Sequence, residues 1–322
     1  MNKILNEGYT VGALLYSPAI NTNVPYNIKN EIWGKKYSLC LCLEDSINDD
    51  AVEMGEKNIV NIFSILNKEL SESTFFMPKI FIRVRNPLQI SKIFNMLKNT
   101  SHILTGFVAP KFSPNNADEY IKEIENINKN LDKKIYIMPI IENGFILDIE
   151  KRISNLYKLK QKLDNIHNLV LNIRIGGNDI CHNLGLRRNS YQTIYDISSI
   201  NNILGDIYTV FGREYVISGV VWDYFSGIND QWKKGLEKEI ELDTLNGFIG
   251  KTCIHPNQIS IINEGLKVSK SDYNDAKSIL NWDMSKNKLV SKSTEEERMN
   301  EIKTHSNWAK KIIVLGDYYG IK

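Results

Sequence analysis

The chain has 322 residues, and 40 Lys and Arg stand against 38 Asp and Glu, so the formal net charge at pH 7 is +2. This near balance argues against a nucleic-acid-binding protein, which needs a surplus of basic residues to neutralise phosphates. The length allows either about two or three ordinary domains or one α/β barrel of about 250 residues.

The chain shows no membrane or export signal. The first residues lack the apolar core of a signal peptide, and no apolar run approaches the ~18 residues that span a bilayer. The four cysteines, Cys40, Cys42, Cys181 and Cys253, fall in or beside apolar runs and form no Cys-x-x-Cys pair. This pattern is typical of buried, reduced thiols rather than metal ligands or disulfides. We therefore expect a cytoplasmic protein that binds neither nucleic acid nor a membrane.

Eight short apolar runs recur along the chain, and their starts are 27 to 46 residues apart. They are Val11–Tyr16, Ser38–Leu43, Lys79–Val84, Gly106–Ala109, Ile135–Ile141, Leu169–Ile175, Tyr215–Val221 and Phe248–Ile254. Continuous rather than alternating hydrophobicity is typical of parallel strands buried on both faces. Eight strands separated by helical patterns predict a TIM (β/α)8 barrel. A doubly wound open sheet is the alternative, which the lack of a Gly-x-Gly-x-x-Gly after the first run disfavours.

The remaining segments predict helices and a C-terminal extension. Residues 49–69 form an amphipathic pattern, and another helix is expected to begin near Ser113. After residue 266 the chain becomes polar and rich in lysine, which predicts a helix over 271–282, a mobile linker and a terminal helix within 308–321. We therefore divide the chain into a catalytic barrel, residues 1–266, and a helical extension or lid, residues 267–322. The extension has two possible positions, on its own barrel or over a neighbour's active site.

Charged and small residues follow the predicted strands at their C-terminal ends, where α/β barrels carry their chemistry. They are Glu44 and Asp45, Arg83 and Arg85, Lys111, Glu142, and the run Gly176, Gly177, Asn178 and Asp179. Mg²⁺ prefers carboxylate and water oxygens, usually with only one or two protein carboxylates. The pattern therefore predicts Glu142 and Asp179 as metal ligands.

The other strand-end residues predict an anion site beside that metal. Arg83 or Arg85 would hold a carboxylate through a two-pronged hydrogen bond, and Gly176 and Gly177 would let the backbone approach it closely. We also expect Lys111 and Asn178 to contact the substrate. Such a set would polarise a 2-oxo acid and stabilise an enolate, as carbon–carbon bond chemistry beside a carbonyl requires.

Each of these residues taken alone also has a structural interpretation. Asp45 precedes a helix and suits a capping role, Lys111 suits an exposed lysine, and His255 before Pro256 suits a structural histidine. Their joint occurrence at consecutive strand ends favours a functional site.

Several of these segments resemble motifs of the HpcH/HpaI aldolase and citrate lyase β-subunit family, in its citrate-lyase-β-like branch. The resemblance spans residues 12–225 and 247–264. The matching segments are Leu41-Cys42-Leu43-Glu44-Asp45-Ser46, Arg83-Val84-Arg85-Asn86-Pro87, Val108-Ala109-Pro110-Lys111, Pro139-Ile140-Ile141-Glu142, Gly176-Gly177-Asn178-Asp179-Ile180 and the stretch 250–259. The last, Gly-Lys-x-x-Ile-His-Pro-x-Gln-Ile, is the most specific.

The resemblance implies a TIM barrel, a Mg²⁺ site formed by Glu142 and Asp179, and a trimeric or hexameric assembly. It also implies reactions on 2-oxo acids or acyl thioesters of the citryl-CoA or malyl-CoA kind. The chain departs from the family pattern at Cys42, in the loop after Glu142, at Asn178 and in its additional arginine, Arg85.

Our first hypothesis is therefore a Mg²⁺-dependent carbon–carbon lyase or condensing enzyme, in which Glu44 and Asp45 order metal-bound water or assist proton transfer. A CoA-thioester hydrolase, or an enzyme of the phosphoenolpyruvate-superfamily type, is an alternative. A non-catalytic barrel that binds a ligand or serves as a scaffold is another, because several departures fall near the expected ligand shell.

Overall fold

The computed structural model describes residues 3–283 and 288–322. Seven parallel strands lie side by side in the order β6-β5-β4-β3-β2-β1-β7. The strands are β1 (Ala13–Pro18), β2 (Tyr37–Cys42), β3 (Lys79–Arg83), β4 (Leu104–Ala109), β5 (Tyr136–Ile141), β6 (Arg174–Ile175) and β7 (Lys251–Cys253). Each strand overlaps one of the predicted apolar runs, with bounds shifted by a few residues.

The segment 215–221 closes this curved sheet into a ring between β6 and β7. Isolated parallel bridges join Ile173 to Ile217 and Gly219 to Lys251, and the Gly219 N–H donates to the Gly250 carbonyl at 3.0 Å. The barrel prediction is thus confirmed. The prediction of a regular strand at 215–221 was wrong, because the flanking β6 and β7 have only two and three residues and form no continuous ladder with it.

Helices surround the barrel and cover its interior at the N-terminal ends of the strands. In the described ranges the α-helices are α1 (Lys3–Tyr9), α2 (Val24–Lys29), α3 (Val52–Glu72), α4 (Leu88–Met96), α5 (Ala117–Asn128), α6 (Arg152–Asp164), α7 (Gly177–Asn183), α8 (Ser198–Phe211), α9 (Gln231–Leu245), α10 (Asn257–Gly265), α11 (Lys270–Leu280) and α12 (Ile302–Tyr319). The predicted helix at 49–69 corresponds to a short 3-10 turn followed by α3.

Two hydrophobic layers hold the barrel together. Leu14, Phe81 and Met138 fill its interior, whereas Leu15 and Ile82 belong to the layer between the strands and the outer helices. Neighbouring residues of one strand therefore face different layers, which explains the continuous hydrophobicity of the predicted runs. All four cysteines are buried and free of disulfides, as predicted.

The C-terminal extension packs on its own barrel at the end opposite the C-terminal strand ends. The Tyr319 hydroxyl donates to the Tyr9 carbonyl at 2.8 Å, and Lys36 Nζ donates to the Tyr318 carbonyl at 2.9 Å. Tyr9 and Lys36 precede β1 and β2, so these contacts lie at the N-terminal strand ends. The boundary at residue 266 remains our proposal for a domain division.

Within the extension, α11 and α12 match the two predicted helices, although α12 begins at Ile302, before the predicted range. The predicted linker contains an antiparallel pair, β8 (Val290–Lys292) and β9 (Met299–Glu301). Its residues 284–287 lie outside the described residues. In the part of the chain that the structure describes, no helix has the length and apolar character needed to cross a membrane.

Candidate active site at the barrel mouth

Charged residues from four consecutive strands meet at the C-terminal end of the barrel. We call Glu44, Asp45, Arg83, Lys111 and Glu142 the mouth cluster. They follow or end β2, β3, β4 and β5, which are neighbours in the sheet. Parallel strands bring their C-terminal ends to one rim, and this is why residues up to about 100 positions apart in the sequence come into contact.

Arg83 lies at the centre of the mouth cluster. Its Nη2 is 2.6 Å from Glu44 Oε2, 2.9 Å from Asp45 Oδ2 and 3.5 Å from Glu142 Oε1. Its guanidinium carbon lies 6.0 Å from the ring centre of Tyr16, within the range of a cation–π contact. Burial alone would lower the pKa of Arg83, but Tyr16, Glu142 and Glu44 raise it above its ordinary value. The mouth therefore contains a permanent positive charge.

Lys111 joins the cluster through both its side chain and its backbone. Its Nζ is 2.6 Å from Glu44 Oε1 and 3.6 Å from Asp45 Oδ1, and its backbone N–H donates to Glu142 Oε1 at 2.7 Å. The hydrogen bond to Glu44 is the main cause that raises the pKa of Lys111.

The backbone of Lys111 adopts a conformation that is uncommon for a residue with a Cβ. Its φ is 50°, in the left-handed region. The side-chain amides of Asn116 and Asn143 hold this turn by donating to the Lys111 carbonyl at 3.0 and 2.7 Å. The turn directs the Lys111 N–H toward Glu142, so the strained backbone serves the geometry of the mouth.

Glu142 is buried below the rim and has an elevated pKa. Burial raises this pKa to about 7, Arg83 opposes the rise, and the negative charge of Asp179 adds to it. Glu142 also lies against Gly176, where an added Cβ would come within 2.1 Å of Oε2. A glycine is needed here because any larger residue would displace the carboxylate. The sequence predicted that Gly176 and Gly177 let the backbone approach a substrate carboxylate; in the structure an added Cβ would meet Glu142 at the first and Val220 at the second.

Glu44 and Asp45 respond differently to their shared surroundings. Burial, together with the interaction with Asp45, raises the pKa of Glu44. Burial would also raise the pKa of Asp45, but its hydrogen bond with Glu44 and the charges of Arg83 and Lys111 lower it. The pKa values of these two neighbouring carboxyls therefore shift in opposite directions.

The remaining predicted site residues lie around this cluster. Asp179, in the first turn of α7, is partly exposed, and its charge acts on Glu142. Asn178 donates to Asp223 Oδ1 at 2.6 Å, which connects it to the neighbouring loop. Arg85 turns away from the cluster, because its guanidinium pairs with Asp49 and donates to the Leu43 carbonyl at 3.2 Å.

Sequence reasoning missed two residues of the barrel interior, Tyr16 and Arg174. Arg174 is buried inside the barrel, where it donates to Ser218 Oγ at 3.3 Å and Thr252 Oγ1 at 2.7 Å. A signal was present in the sequence, because Arg174 interrupts the mostly apolar run 169–175 and has the same inward parity as Gly176.

The most specific sequence motif, residues 250–259, has a structural role. Lys251 Nζ lies 2.6 Å from Asp243 Oδ2 and 2.9 Å from Glu239 Oε1, all buried outside the barrel wall. Gln258 Nε2 donates to the Trp222 carbonyl at 2.9 Å. His255 stacks on the ring of Phe225 with 4.5 Å between ring centres. These contacts fasten α9 and α10 to the barrel.

The fold and the clustered strand ends define a (β/α) barrel with a charged mouth. A family model described as C–C bond lyase of the TIM-barrel fold matches residues 6–321. The chain belongs to this family and is a carbon–carbon lyase, as the resemblance to the citrate-lyase-β-like branch had indicated. No curated protein matches the chain in sequence.

Three solved structures illustrate the fold that this chain shares. A citrate lyase from Burkholderia xenovorans LB400 has 11% identity and a TM-score of 0.71, covering 97% of this chain and 93% of its own. The protein CitE from Mycobacterium tuberculosis, in complex with magnesium, acetoacetate and coenzyme A, has 13% identity and a TM-score of 0.62. The match covers 96% of this chain and 99% of the CitE chain. The Haloferax volcanii malate synthase lead(II) complex has 15% identity and a TM-score of 0.61. The match covers 81% of this chain and 74% of the malate synthase chain. At such identities the likeness shows the fold.

Proposed function

We propose that this carbon–carbon lyase depends on Mg²⁺ and acts on a 2-oxo acid or a CoA thioester, in the cleaving or the condensing direction. The observation that carries the proposal is the charge at the mouth. Four carboxylates, Glu44, Asp45, Glu142 and Asp179, meet two cations, Arg83 and Lys111. The excess of negative charge suits a divalent cation. The carboxylates offer only oxygen ligands, and such ligands suit Mg²⁺.

Glu142 and Asp179 fit the role of metal ligands. The hydrogen bond and ion pair that Glu142 makes with described residues both fall on Oε1, from the Lys111 N–H and Arg83. Oε2 lies close to Gly176, where only a residue without a Cβ fits beside it. No group of three His, Cys, Asp or Glu residues positioned to bind a metal occurs in the described ranges. An open shell with two protein carboxylates accords with a Mg²⁺ ion that completes its coordination with water and substrate oxygens.

The other residues of the mouth cluster would orient the substrate and handle a proton. Bound Mg²⁺ supplies polarisation of the substrate carbonyl. Arg83 provides a fixed positive charge for a substrate oxygen, and Lys111 adds a second. Glu44, between these two cations, would hold or release a proton through its carboxylate oxygens. Gly177 and Asn178, beside Asp179, would line the substrate on the α7 side.

Further proposals concern cofactor and assembly. The magnesium and coenzyme A in the Mycobacterium tuberculosis complex support Mg²⁺ and a CoA thioester for this chain. We also propose a cytoplasmic location, which rests on the pattern of buried, reduced cysteines, and a trimeric or hexameric assembly, which the sequence resemblance implies.

The decisive experiment replaces one proposed ligand. We expect Asp179→Asn to abolish Mg²⁺ binding in calorimetry and to remove Mg²⁺-dependent binding of oxaloacetate and pyruvate, with an unchanged circular dichroism spectrum. Asp49→Asn is the matched control, because Asp49 is an exposed acid that pairs with Arg85 outside the mouth cluster. Native Mg²⁺ dependence in Asp179→Asn would refute the metal assignment.

Turnover separates the reaction classes. Consumption of acetyl-CoA that requires glyoxylate and Mg²⁺, with formation of the hydroxyacyl-CoA adduct, would support the condensing reaction. CoA release without glyoxylate would instead support the alternative of a thioester hydrolase.

A further inference from the structure

Arg174 is a buried cation inside the barrel that lacks a carboxylate partner. The side chain is 2% exposed, and within residues 3–283 and 288–322 it forms no ion pair. Its neighbours are the hydroxyls of Ser218, Thr252 and Tyr16 and the thiols of Cys40 and Cys253. All of these are neutral at pH 7, so the charge has no counterion among them.

The hydrogen bonds around Arg174 are also incomplete. Its Nε has no partner among the described residues, and neither has Nδ2 of the adjacent Asn172, whose Oδ1 accepts from Ser218 Oγ at 2.9 Å. Burial lowers the pKa of Arg174, yet a guanidinium stays protonated at neutral pH. A buried charge without a partner is costly, and native proteins retain one mainly where function requires it.

The contrast with Arg83 indicates which arginine can accept an anion. Arg83 Nη2 already faces Glu44, Asp45 and Glu142. The two arginines lie on either side of Tyr16, whose ring faces Arg83 and whose hydroxyl interacts with Arg174. Tyr16 is partly exposed, so a ligand at the mouth that displaces its side chain would reach the Arg174 guanidinium.

We propose that Arg174, supported by Thr252 and Ser218, binds a carboxylate of the substrate and makes the enzyme selective for short dicarboxylates. The ligand carboxylate would take the place of the Tyr16 hydroxyl and supply the missing counterion. This inference rests on the proposed function, in which Mg²⁺ binds the other end of the substrate. It assigns to Arg174 the carboxylate-binding role that the sequence suggested for Arg83 or Arg85.

The position of Arg174 sets the size of the ligand. Arg174 pairs with Ile140 in the sheet, two residues before Glu142, and Gly176, which touches Glu142, is two residues after Arg174. At about 3.3 Å per residue, the Cα of Arg174 lies about 7 Å deeper along the strand than this contact. A four- or five-carbon diacid would span from the metal ligands to Arg174, whereas a monocarboxylate held at the metal would not reach it.

The test compares ligands that differ by one carboxylate. Calorimetry with Mg²⁺ would measure oxaloacetate and pyruvate binding to the wild type and to Arg174→Gln. We expect the wild type to bind oxaloacetate at least about tenfold more tightly than pyruvate, because a charge-assisted pair contributes that much or more. Arg174→Gln should remove this preference by weakening only oxaloacetate, and Arg174→Lys should retain part of it.

The outcomes are distinguishable from a failure of the proposed function. Equal weakening of both ligands in Arg174→Gln, or no diacid preference in the wild type, would overturn the inference even if Mg²⁺-dependent binding persists. Succinate without Mg²⁺ is the second probe, since it has two carboxylates and no carbonyl. Succinate binding that Arg174→Gln abolishes would support the inference, even if the 2-oxo acids show no Mg²⁺ dependence and the proposed function fails. Succinate that binds both proteins equally would count against it.

A thermal scan controls for folding. Because Arg174→Gln removes a buried charge that has no counterion, the melting temperature should stay the same or rise. If Arg174→Gln fails to fold, the preference of the wild type for oxaloacetate over pyruvate still tests the inference. Thr252→Val, which deletes one hydroxyl partner of Arg174, should then reduce this preference.

Discussion

Two groups of buried charges lie on the same barrel and differ in how completely they are satisfied. The mouth cluster is open, since the side chains of Asp45 and Lys111 are 53% and 50% exposed. The second group, which we call the outer cluster, lies between the barrel wall and α9. It consists of Arg188, Glu239, Asp243 and Lys251, each at most 3% exposed.

Within the outer cluster two cations face two acids, and Arg188 Nη2 also lies 3.7 Å from Oδ2 of the partly exposed Asp223. Arg188 pairs with Glu239, Lys251 pairs with Glu239 and Asp243, and the Tyr195 hydroxyl donates to Asp243 at 2.8 Å. The mouth cluster and Asp179 carry more acids than cations. Both groups contain a carboxyl whose pKa is raised by burial, to about 6 at Asp243 and about 7 at Glu142. A raised pKa therefore does not by itself identify an active site; exposure to solvent distinguishes the mouth cluster from the outer cluster.

The largest expected effect tests the outer cluster. Lys251→Met removes one cation and leaves Glu239 and Asp243 buried with too little positive charge. We expect a loss of about 3–5 kcal/mol in the free energy of unfolding, measured by urea denaturation. Lys57→Met, which breaks the exposed pair with Glu53, should leave the free energy of unfolding nearly unchanged. Similar losses in both variants would contradict a structural role for the outer cluster.

The next prediction tests the close contact at the mouth. Gly176→Ala would place a Cβ 2.1 Å from Glu142 Oε2, so the carboxylate must shift. We expect Mg²⁺ affinity to fall about 10- to 100-fold, as for other changes that displace a metal ligand. Gly144→Ala is the control, because an added Cβ there meets nothing within 4 Å. Calorimetry that finds equal Mg²⁺ affinities in the two variants would exclude Glu142 as a ligand.

The pKa of Glu142 predicts a pH dependence. Mg²⁺ competes with the proton of a carboxyl whose pKa is about 7, so affinity should fall by up to about tenfold per pH unit below that value. Asp179→Asn should lower the pKa of Glu142, because it removes a neighbouring negative charge. Nuclear magnetic resonance titration of the Glu142 carboxyl in the metal-free variant would reveal this shift, and an unchanged pKa would show that Asp179 is too distant to share a metal.

The same group affects stability without metal. The folded state binds the Glu142 proton more tightly than the unfolded state, whose carboxyl has the usual pKa of 4.5. Its stabilising contribution is therefore fully present below pH 4.5 and is lost as the pH rises through about 7. Urea denaturation at a series of pH values would measure this loss in the wild type, and Glu142→Gln should lack it.

The smallest effect concerns Arg85. Its pair with the exposed Asp49 is worth at most about 1 kcal/mol, and its side chain turns away from the mouth cluster. We expect Arg85→Gln to change substrate affinity by less than about twofold, whereas Arg83→Gln should remove binding because it leaves buried carboxylates unpaired. A large loss of affinity in Arg85→Gln would show that Arg85 reaches the substrate.

The sequence was sufficient for the barrel and for the meeting of Glu44, Arg83, Lys111 and Glu142. Continuous apolar runs at regular spacing indicate parallel strands, and parallel strands place their C-terminal residues at one rim. This inference does not depend on any long-range contact. It was weakest at residues 215–221, where an apolar run gave only isolated bridges.

Only the tertiary structure decided what each charged residue faces. Arg83 and Arg85 have the same charge and are separated by one residue, yet the first contacts three carboxylates of the mouth and the second pairs with Asp49. Lys251 belongs to the most specific motif and lies outside the barrel wall, whereas Arg174 lies inside it with no counterion among the described residues. Local sequence sets the strand and the parity of a side chain. Its partners come from other strands and helices, and these partners determine whether a charge is satisfied within the protein or left for a ligand.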